Sequence, residues 1–434
     1  MKTMFHKILL ITVLLFSQAI FAQKITLQDA VGIALDNNLQ IQIARNDAEI
    51  ARKQNSAGAA GMLPSVTLNA SDNPSLTNLK QELSNGTLIE RDNVLSNNVN
   101  ANISLGYTLF DGMKMFATRK RLKEMEALGT NKLKAQIQNM VSTVIQKYSY
   151  LVAQKASLVL VEQLLDISKQ RLDLVKIRLQ AGLANNTDLY LAQLDIDTRN
   201  QNLINQQVLI KNSYADLNTI LNLPVDSVYD IDAILITNNG LQKSQLDTAF
   251  NNNPELLMAE NNVEITLQSQ KELQGVRLPT LRLNAAYGYA LTQSQAGFTL
   301  LNQNYGPNAG ISFALPLYNG NVNANNVSVA KLQTKNAALS QQQTRLNLKS
   351  NLEQAWEKYS NALIQVRNDE MSVQTAKNYL DLMQQRYKLG QSTVLDYREA
   401  QRSFEETNYR MLTNRYTLKL AETDLLRLIG QLVN

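Results

Sequence analysis

Cysteine is absent from this 434-residue chain, and its single histidine is His6. Proline and glycine are scarce as well, at 7 and 17. Beyond residue 22 there is neither His nor Cys, which excludes a Ser-His or Cys-His nucleophile pair, a thiolate-imidazole zinc site and a redox dithiol. Nothing in the pattern calls for a cofactor or a metal, and an enzyme is not expected. Charge is nearly balanced, with 42 Lys+Arg against 37 Asp+Glu; without Lys2 and Lys7 the excess falls to +3. Nucleic acid is therefore not expected as a partner, since a phosphate binder concentrates positive charge.

The N-terminus reads as an export signal. Lys2 and Lys7 flank a basic segment, Ile8 to Phe16 is almost wholly apolar, and Ala19-Ile20-Phe21-Ala22 precedes Gln23 with the small residue that signal peptidase requires. Residues 1–22 are expected to be removed by cleavage near Ala22. No cysteine follows to carry a lipid. No later apolar run approaches the ~18 residues of a membrane helix, so any membrane crossing must use strands.

The chain contains itself twice. Leu63-Pro64-Ser65-Val66-Thr67-Leu68-Asn69-Ala70 recurs as Leu278-Pro279-Thr280-Leu281-Arg282-Leu283-Asn284-Ala285. Leu109-Phe110-Asp111-Gly112 matches Leu317-Tyr318-Asn319-Gly320, and Arg178 to Gly182 matches Arg386 to Gly390. The first match is shifted by 215 and the later ones by 208. Self-similarity on this scale means a tandem duplication. The division is a first repeat over 23–224, an equatorial connector over 225–245 and a second repeat over 246–434.

Each repeat opens with a helix (about Leu27 to Met62, and Leu246 to Val276), breaks at Pro64 or Pro279, forms a strand pair (about 64–110 and 279–318) and runs helical again over 113–181 or 321–389. Sixty-nine helical residues at ~1.5 Å each make a rod of ~100 Å. Ile137, Val144, Leu151, Leu158, Leu165, Leu172 and Leu179 follow at steps of seven, as do Leu352, Tyr359, Val366, Val373, Leu380 and Tyr387. Such a seam means coiled-coil packing. Gly182 and Gly390 suit left-handed C-caps, and Thr187 and Thr393 can cap return helices over 187–222 and 393–430. The return helix and the opening helix together nearly match the rod in length, so they are expected to stack end to end along it. The connector, with Val228, Ile231, Ile234 and Ile236, would form a small girdle.

The strands alternate. Leu281, Leu283, Ala285, Tyr287 and Tyr289 share one face, opposite Arg282, Asn284, Ala286 and Gly288; the partner strand carries Ile311, Phe313, Leu315 and Leu317 against Ser312, Ala314 and Tyr318. In the first repeat Ala101, Ile103, Leu105, Tyr107 and Leu109 alternate with polar neighbours. Strands of ~10 residues, apolar outward, suit a membrane barrel with a wet interior; two sheets packed on a core are the other reading. Four strands cannot close a barrel, and open edges cannot face lipid. Several chains must pool their strands, and three would supply twelve.

The duplicated strand-pair-and-rod arm, with its matched sequences at both rod ends, resembles the TolC-type outer membrane efflux proteins over essentially the whole mature chain. The resemblance implies a mainly α homotrimer with a 12-stranded transmembrane β-barrel in outer membrane lipid, continued by a periplasmic α-helical barrel. It implies a passive exit duct serving a periplasmic adaptor (membrane fusion) protein and an inner-membrane transporter. Asp396, Glu399 and Asp188 fall where relatives narrow the pore with acidic rings. Tyr387, Thr187 and Ser392 fall where they close the tips, Ser392 standing where some relatives carry arginine. Ala181, Gly182, Leu183, Leu389 and Gly390 resemble the turns that receive adaptor hairpins. First-turn stabilisation by the helix dipole is the simpler account of Asp188 and Asp396, as a plain glycine stop is for Gly182 and Gly390. A pore-less periplasmic adaptor or scaffold is the alternative function, and an outer-membrane enzyme a more distant one.

Overall fold

A computed structural model describes residues 24–238 and 240–432; residues 1–22, expected to form an export signal, lie outside them. The elements are β1 (Lys24–Ile25), α1 (Leu27–Asn37), α2 (Leu39–Gln54), β2 (Ser65–Glu82), β3 (Leu88–Asp111), α3 (Lys114–Gln180), α4 (Asn186–Leu221), β4 (Asp230–Ile231), α5 (Lys243–Ala249), a 3-10 turn (Phe250–Asn252), α6 (Pro254–Gly275), β5 (Thr280–Ser294), β6 (Leu301–Ala314), α7 (Val322–Lys388) and α8 (Val394–Leu428). No helix among the described residues is long and apolar enough to cross a membrane. The chain divides into a helical unit (residues up to Asn46, Asn131–Leu257 and from Thr344) and a sheet-bearing unit (Asp47–Thr130 and Met258–Gln343).

In the helical unit the heptad seam is the packing surface. Val144, Leu151, Leu165, Leu172, Leu352, Tyr359, Leu380 and Tyr387 are buried, and their remaining partners half-buried. Three clusters result: Val144, Tyr148 and Leu151 with Ala30, Ala34, Ile41, Leu217 and Leu221; Leu348, Leu352 and Tyr359 with Leu418 and Leu425; Leu164, Leu172 and Leu380 with Tyr397 and Phe404. Fully burying each large side chain contributes about 1.5–3 kcal/mol.

Neither opening helix is continuous. In the first, the backbone at Asn38 is extended, ending α1 and capping α2: its Oδ1 accepts from the N–H groups of Gln40 (2.9 Å) and Ile41 (3.3 Å), while its Nδ2 donates to the Ile220 carbonyl (2.8 Å). In the second, Asn253 does the same, accepting from Glu255 (2.7 Å) and Leu256 (3.2 Å) and donating to Leu428 (2.7 Å). These buried asparagines seat each opening helix on the end of its return helix, 215 residues apart. They cut the expected helices because an Asn side chain satisfies the orphan N–H groups of a new N-terminus better than a continued helix would. The girdle is also smaller than expected. β1 pairs parallel with β4 and buries Ile231, but Val228, Ile234 and Ile236 are more than two-thirds exposed.

The sheet-bearing unit holds one antiparallel sheet in the order β2-β3-β5-β6. Its strands run to 18, 24, 15 and 14 residues, longer than the ~10 expected, because β2 and β3 pair as far as Glu82 and Leu88, past the Ser96–Ser294 row where β5 stops pairing. β6 ends at Ala314, so Leu315 and Leu317 lie beyond it, where Pro316 interrupts the ladder.

Register places five rows of apolar side chains on one face: Leu281 with Phe313; Tyr107, Leu283 and Ile311; Val66, Leu105, Ala285 and Ala309; Leu68, Ile103, Tyr287 and Pro307; Ala70, Ala101, Tyr289 and Tyr305. From Leu281 to Tyr289 at ~3.4 Å per residue these rows span ~27 Å, and they end where Asp72 and Gln303 enter the next row. The opposite face is a carpet of amides and hydroxyls. Asn69 bonds Asn102 (3.0 Å), Asn284 bonds Ser312 (3.2 Å) and Thr292 bonds Asn98 (2.9 Å).

Candidate pore tip

Both rods end in the same backbone device. Gly182 (φ +70°) and Gly390 (φ +75°) take the left-handed conformation, and the N–H groups of Leu183 and Gln391 reach back to the carbonyls of Arg178 and Arg386 (both 2.8 Å). This six-residue closure satisfies the last carbonyls of a helix and turns the chain. The return helices start with capping boxes. Asn185 Oδ1 accepts from Asp188 N–H (2.9 Å) while Asp188 accepts from Asn185 N–H (3.3 Å). In the second turn Thr393 Oγ1 accepts from Asp396 N–H (3.1 Å), and Asp396 accepts from Thr393 N–H and hydroxyl (both 2.8 Å).

The first cap is thus Asn185, not Thr187, which is the second residue of α4 and is exposed. The 208 shift pairs Asn185 with Thr393; a like-for-like match of threonines broke that register. The hydrogen bonds from Thr393 hold the Asp396 carboxyl below its ordinary range and keep it ionised. Asp396 is exposed, and Glu399 is exposed and paired with Arg402 (2.9 Å).

Tyr387 lies inside. It is buried, stacks on Tyr397 (centroids 5.8 Å apart, 30° between planes) and receives the Arg178 guanidinium on its ring at 4.7 Å. Arg178 also donates to the Tyr387 carbonyl (2.7 Å). Burial raises the Tyr387 hydroxyl above its usual range; Arg178 opposes this and the Asp188 charge adds to it. Ser392 Oγ is buried without a hydrogen-bond partner among the described residues. Leu183 and Leu389 are about two-thirds exposed or more, and Ala181, Gly182 and Gly390 are exposed beside them.

Behind the turns lies a polar cluster that the heptad reading missed. Arg171 on α3 is buried, forms an ion pair with Asp195 on α4, and donates to Gln401 Oε1 on α8 (2.8 Å); Gln401 donates to Ser168 Oγ (2.8 Å). Arg398 reaches the other Asp195 oxygen at 3.2 Å. Burial lowers the Arg171 guanidinium to about 10. One turn along, Arg199 and Glu405 form a two-point pair at 2.5 and 2.6 Å. The available signal was Arg171 itself, a charge immediately before the seam residue Leu172.

The family described as outer membrane efflux protein matches residues 30–223 and 246–431 of this chain, in two blocks that coincide with its repeats. The chain belongs to that family. It is 24% identical over 447 residues to the protease secretion protein PrtF of Dickeya chrysanthemi, covering 98% of this chain and 94% of that protein. It is 22% identical to the outer membrane protein TolC of Salmonella enteritidis, over 79% of this chain and 71% of that one. Among solved structures, a membrane protein from Pseudomonas aeruginosa superposes with a TM-score of 0.79 at 18% identity, covering 93% of this chain and 90% of that one. The CmeC outer membrane channel of Campylobacter jejuni gives 0.78 at 18% identity, over 93% and 85%.

Proposed function

We propose that this protein is the outer-membrane exit duct of an envelope-spanning export system, and that it works as a homotrimer. The observation that carries the reading is the sheet: an apolar face ~27 Å tall, close to the ~25 Å band of outer-membrane barrels, with unpaired outer edges on β2 and β6. An open edge in lipid leaves backbone groups without partners at several kcal/mol each. Edges of neighbouring copies satisfy one another, and three copies supply twelve strands and a polar interior. Family membership supports the same reading and disfavours a pore-less adaptor. Catalysis has no part in it, since conduction needs only a wide, wet path.

The tips supply the gate in this scheme. Asp396, with Glu399 and Asp188, forms the acidic constriction, and Tyr387, Thr187 and Ser392 belong to the closure of the tips. Exposed Leu183 and Leu389, beside Ala181, Gly182 and Gly390, offer an apolar surface to a periplasmic adaptor hairpin, and an inner-membrane transporter delivers the cargo. The capping role of Asp396 does not conflict with a ring: a carboxylate pinned by Thr393 is held ionised and oriented. In planar bilayers, Asp396→Asn should reduce cation preference and about tenfold weaken block by trivalent cations. Unchanged selectivity and block would remove Asp396 from the constriction.

A further inference from the structure

Within the four-stranded part of the polar sheet face, between the Ser96–Ser294 row and the foot of the sheet, only two residues are charged, Arg282 and Asp111. They differ in how they are held. Both Asp111 oxygens accept from the Met115 N–H (3.0 and 2.9 Å) at the start of α3, where the helix dipole also offsets their charge. The Arg282 side chain is exposed and makes no hydrogen bond or ion pair among the described residues. Its cross-strand partners Thr108 and Ser312 and its own-strand neighbour Asn284 are neutral. The charges of the β2–β3 hairpin, Lys80, Glu82 and Glu90 among them, lie past the row where β5 pairing stops.

Taken with the trimeric duct proposed above, on which this inference rests, we infer that three copies of Arg282 form a cationic ring inside the barrel that binds and selects polyvalent anions. Guanidinium groups on a low-dielectric wall focus potential into the lumen, the surrounding amides and hydroxyls add donors for an anion's oxygens or nitrogens, and the one carboxylate in the adjoining row, Asp111 opposite Thr280, is engaged by the Met115 N–H. A duct that combines this ring with acidic residues in its helical tips screens cargo twice, with opposite sign. The ring discriminates most at low ionic strength, because at 1 M salt the screening length falls to ~3 Å.

Hexacyanoferrate(II), a compact tetravalent anion, serves as the probe in single-channel recordings of the full-length trimer. Wild-type channels at 0.1 M KCl should show concentration-dependent block that fades at 1 M. Arg282→Gln should need about tenfold more anion for half-block, Arg282→Lys should keep most of the block, and both variants should retain the wild-type trivalent-cation block at the tips. Equal half-block in wild type and Arg282→Gln, or no block of wild type, overturns the ring while leaving the duct intact. Wild-type protein that forms no channels overturns the duct reading and the ring together.

Discussion

The two repeats solve the same backbone problems with equivalent residues, yet they differ wherever a side chain must meet the other repeat. Asn38 and Asn253 cap and clamp alike. The turns close alike at Gly182 and Gly390. By contrast Arg178 lies on Tyr387 and bonds its carbonyl, whereas its counterpart Arg386 is exposed and makes one 3.3 Å bond to the Gln391 carbonyl within its own turn. Tyr387 and Tyr397 stand where the first repeat has Leu179 and Leu189, and Arg171 where the second has Tyr379. Duplication preserves what the local chain demands. It cannot preserve both sides of a contact between repeats, because a knob and its hole are different shapes.

Glycines at the sheet-to-rod junctions give the largest effect by which this comparison can be broken. Gly112 and Gly320 both have positive φ, +71° and +64°. A Cβ on Gly112 would come within 2.2 Å of the Gly275 carbonyl oxygen, while at Gly320 nothing lies within 4 Å. Gly320→Ala should cost only the left-handed penalty, about 1–2 kcal/mol; Gly112→Ala should cost more than about 4 kcal/mol or abolish assembly. Thermal unfolding of the two variants checks this, and equal losses would mean that the Gly112–Gly275 approach carries no weight.

Next in size is the arginine pair. Arg178→Ala removes a buried stacking contact and a hydrogen bond to a carbonyl, for a loss of about 2 kcal/mol. Arg386→Ala should fall within about 0.5 kcal/mol of wild type, as exposed substitutions do. Comparable effects in urea unfolding would erase the asymmetry assigned to the turns.

Smaller at neutral pH than the Arg178 loss is the effect of Tyr397→Phe. The Tyr397 hydroxyl is buried without a partner among the described residues, so its loss should change stability by less than about 1 kcal/mol. Burial raises that hydroxyl to about 12 from an ordinary value of 10.0. Above pH 10 the unfolded chain releases this proton while the native state keeps it, so native stability falls as pH rises toward 12. The variant should lose on the order of 2 kcal/mol less than wild type across that window. Identical alkaline denaturation profiles would show that the hydroxyl is not shielded.

Much of this architecture was legible because it is repetitive. A shift of 208 carries Gly182 onto Gly390 and Asp188 onto Asp396, and the steps of seven mark residues that are buried or half-buried in the seam. Strand alternation separated the two faces of the sheet, since period two is set by backbone geometry alone. What stayed hidden depends on tertiary partners. Nothing local distinguishes Asn38 from the adjacent Asn37; only the Ile220 carbonyl does. The Thr187 error came from matching residue types instead of holding the repeat register. The Arg171 cluster required knowing which helix faces which, and the length of β2 and β3 followed from pairing across polar residues that carry no hydrophobic period.

The central claim is that three copies close one barrel that a single copy cannot. Native mass spectrometry of the folded protein released from detergent tests it most directly: the account predicts a complex of three chains, and a folded monomer or a dimer would contradict it.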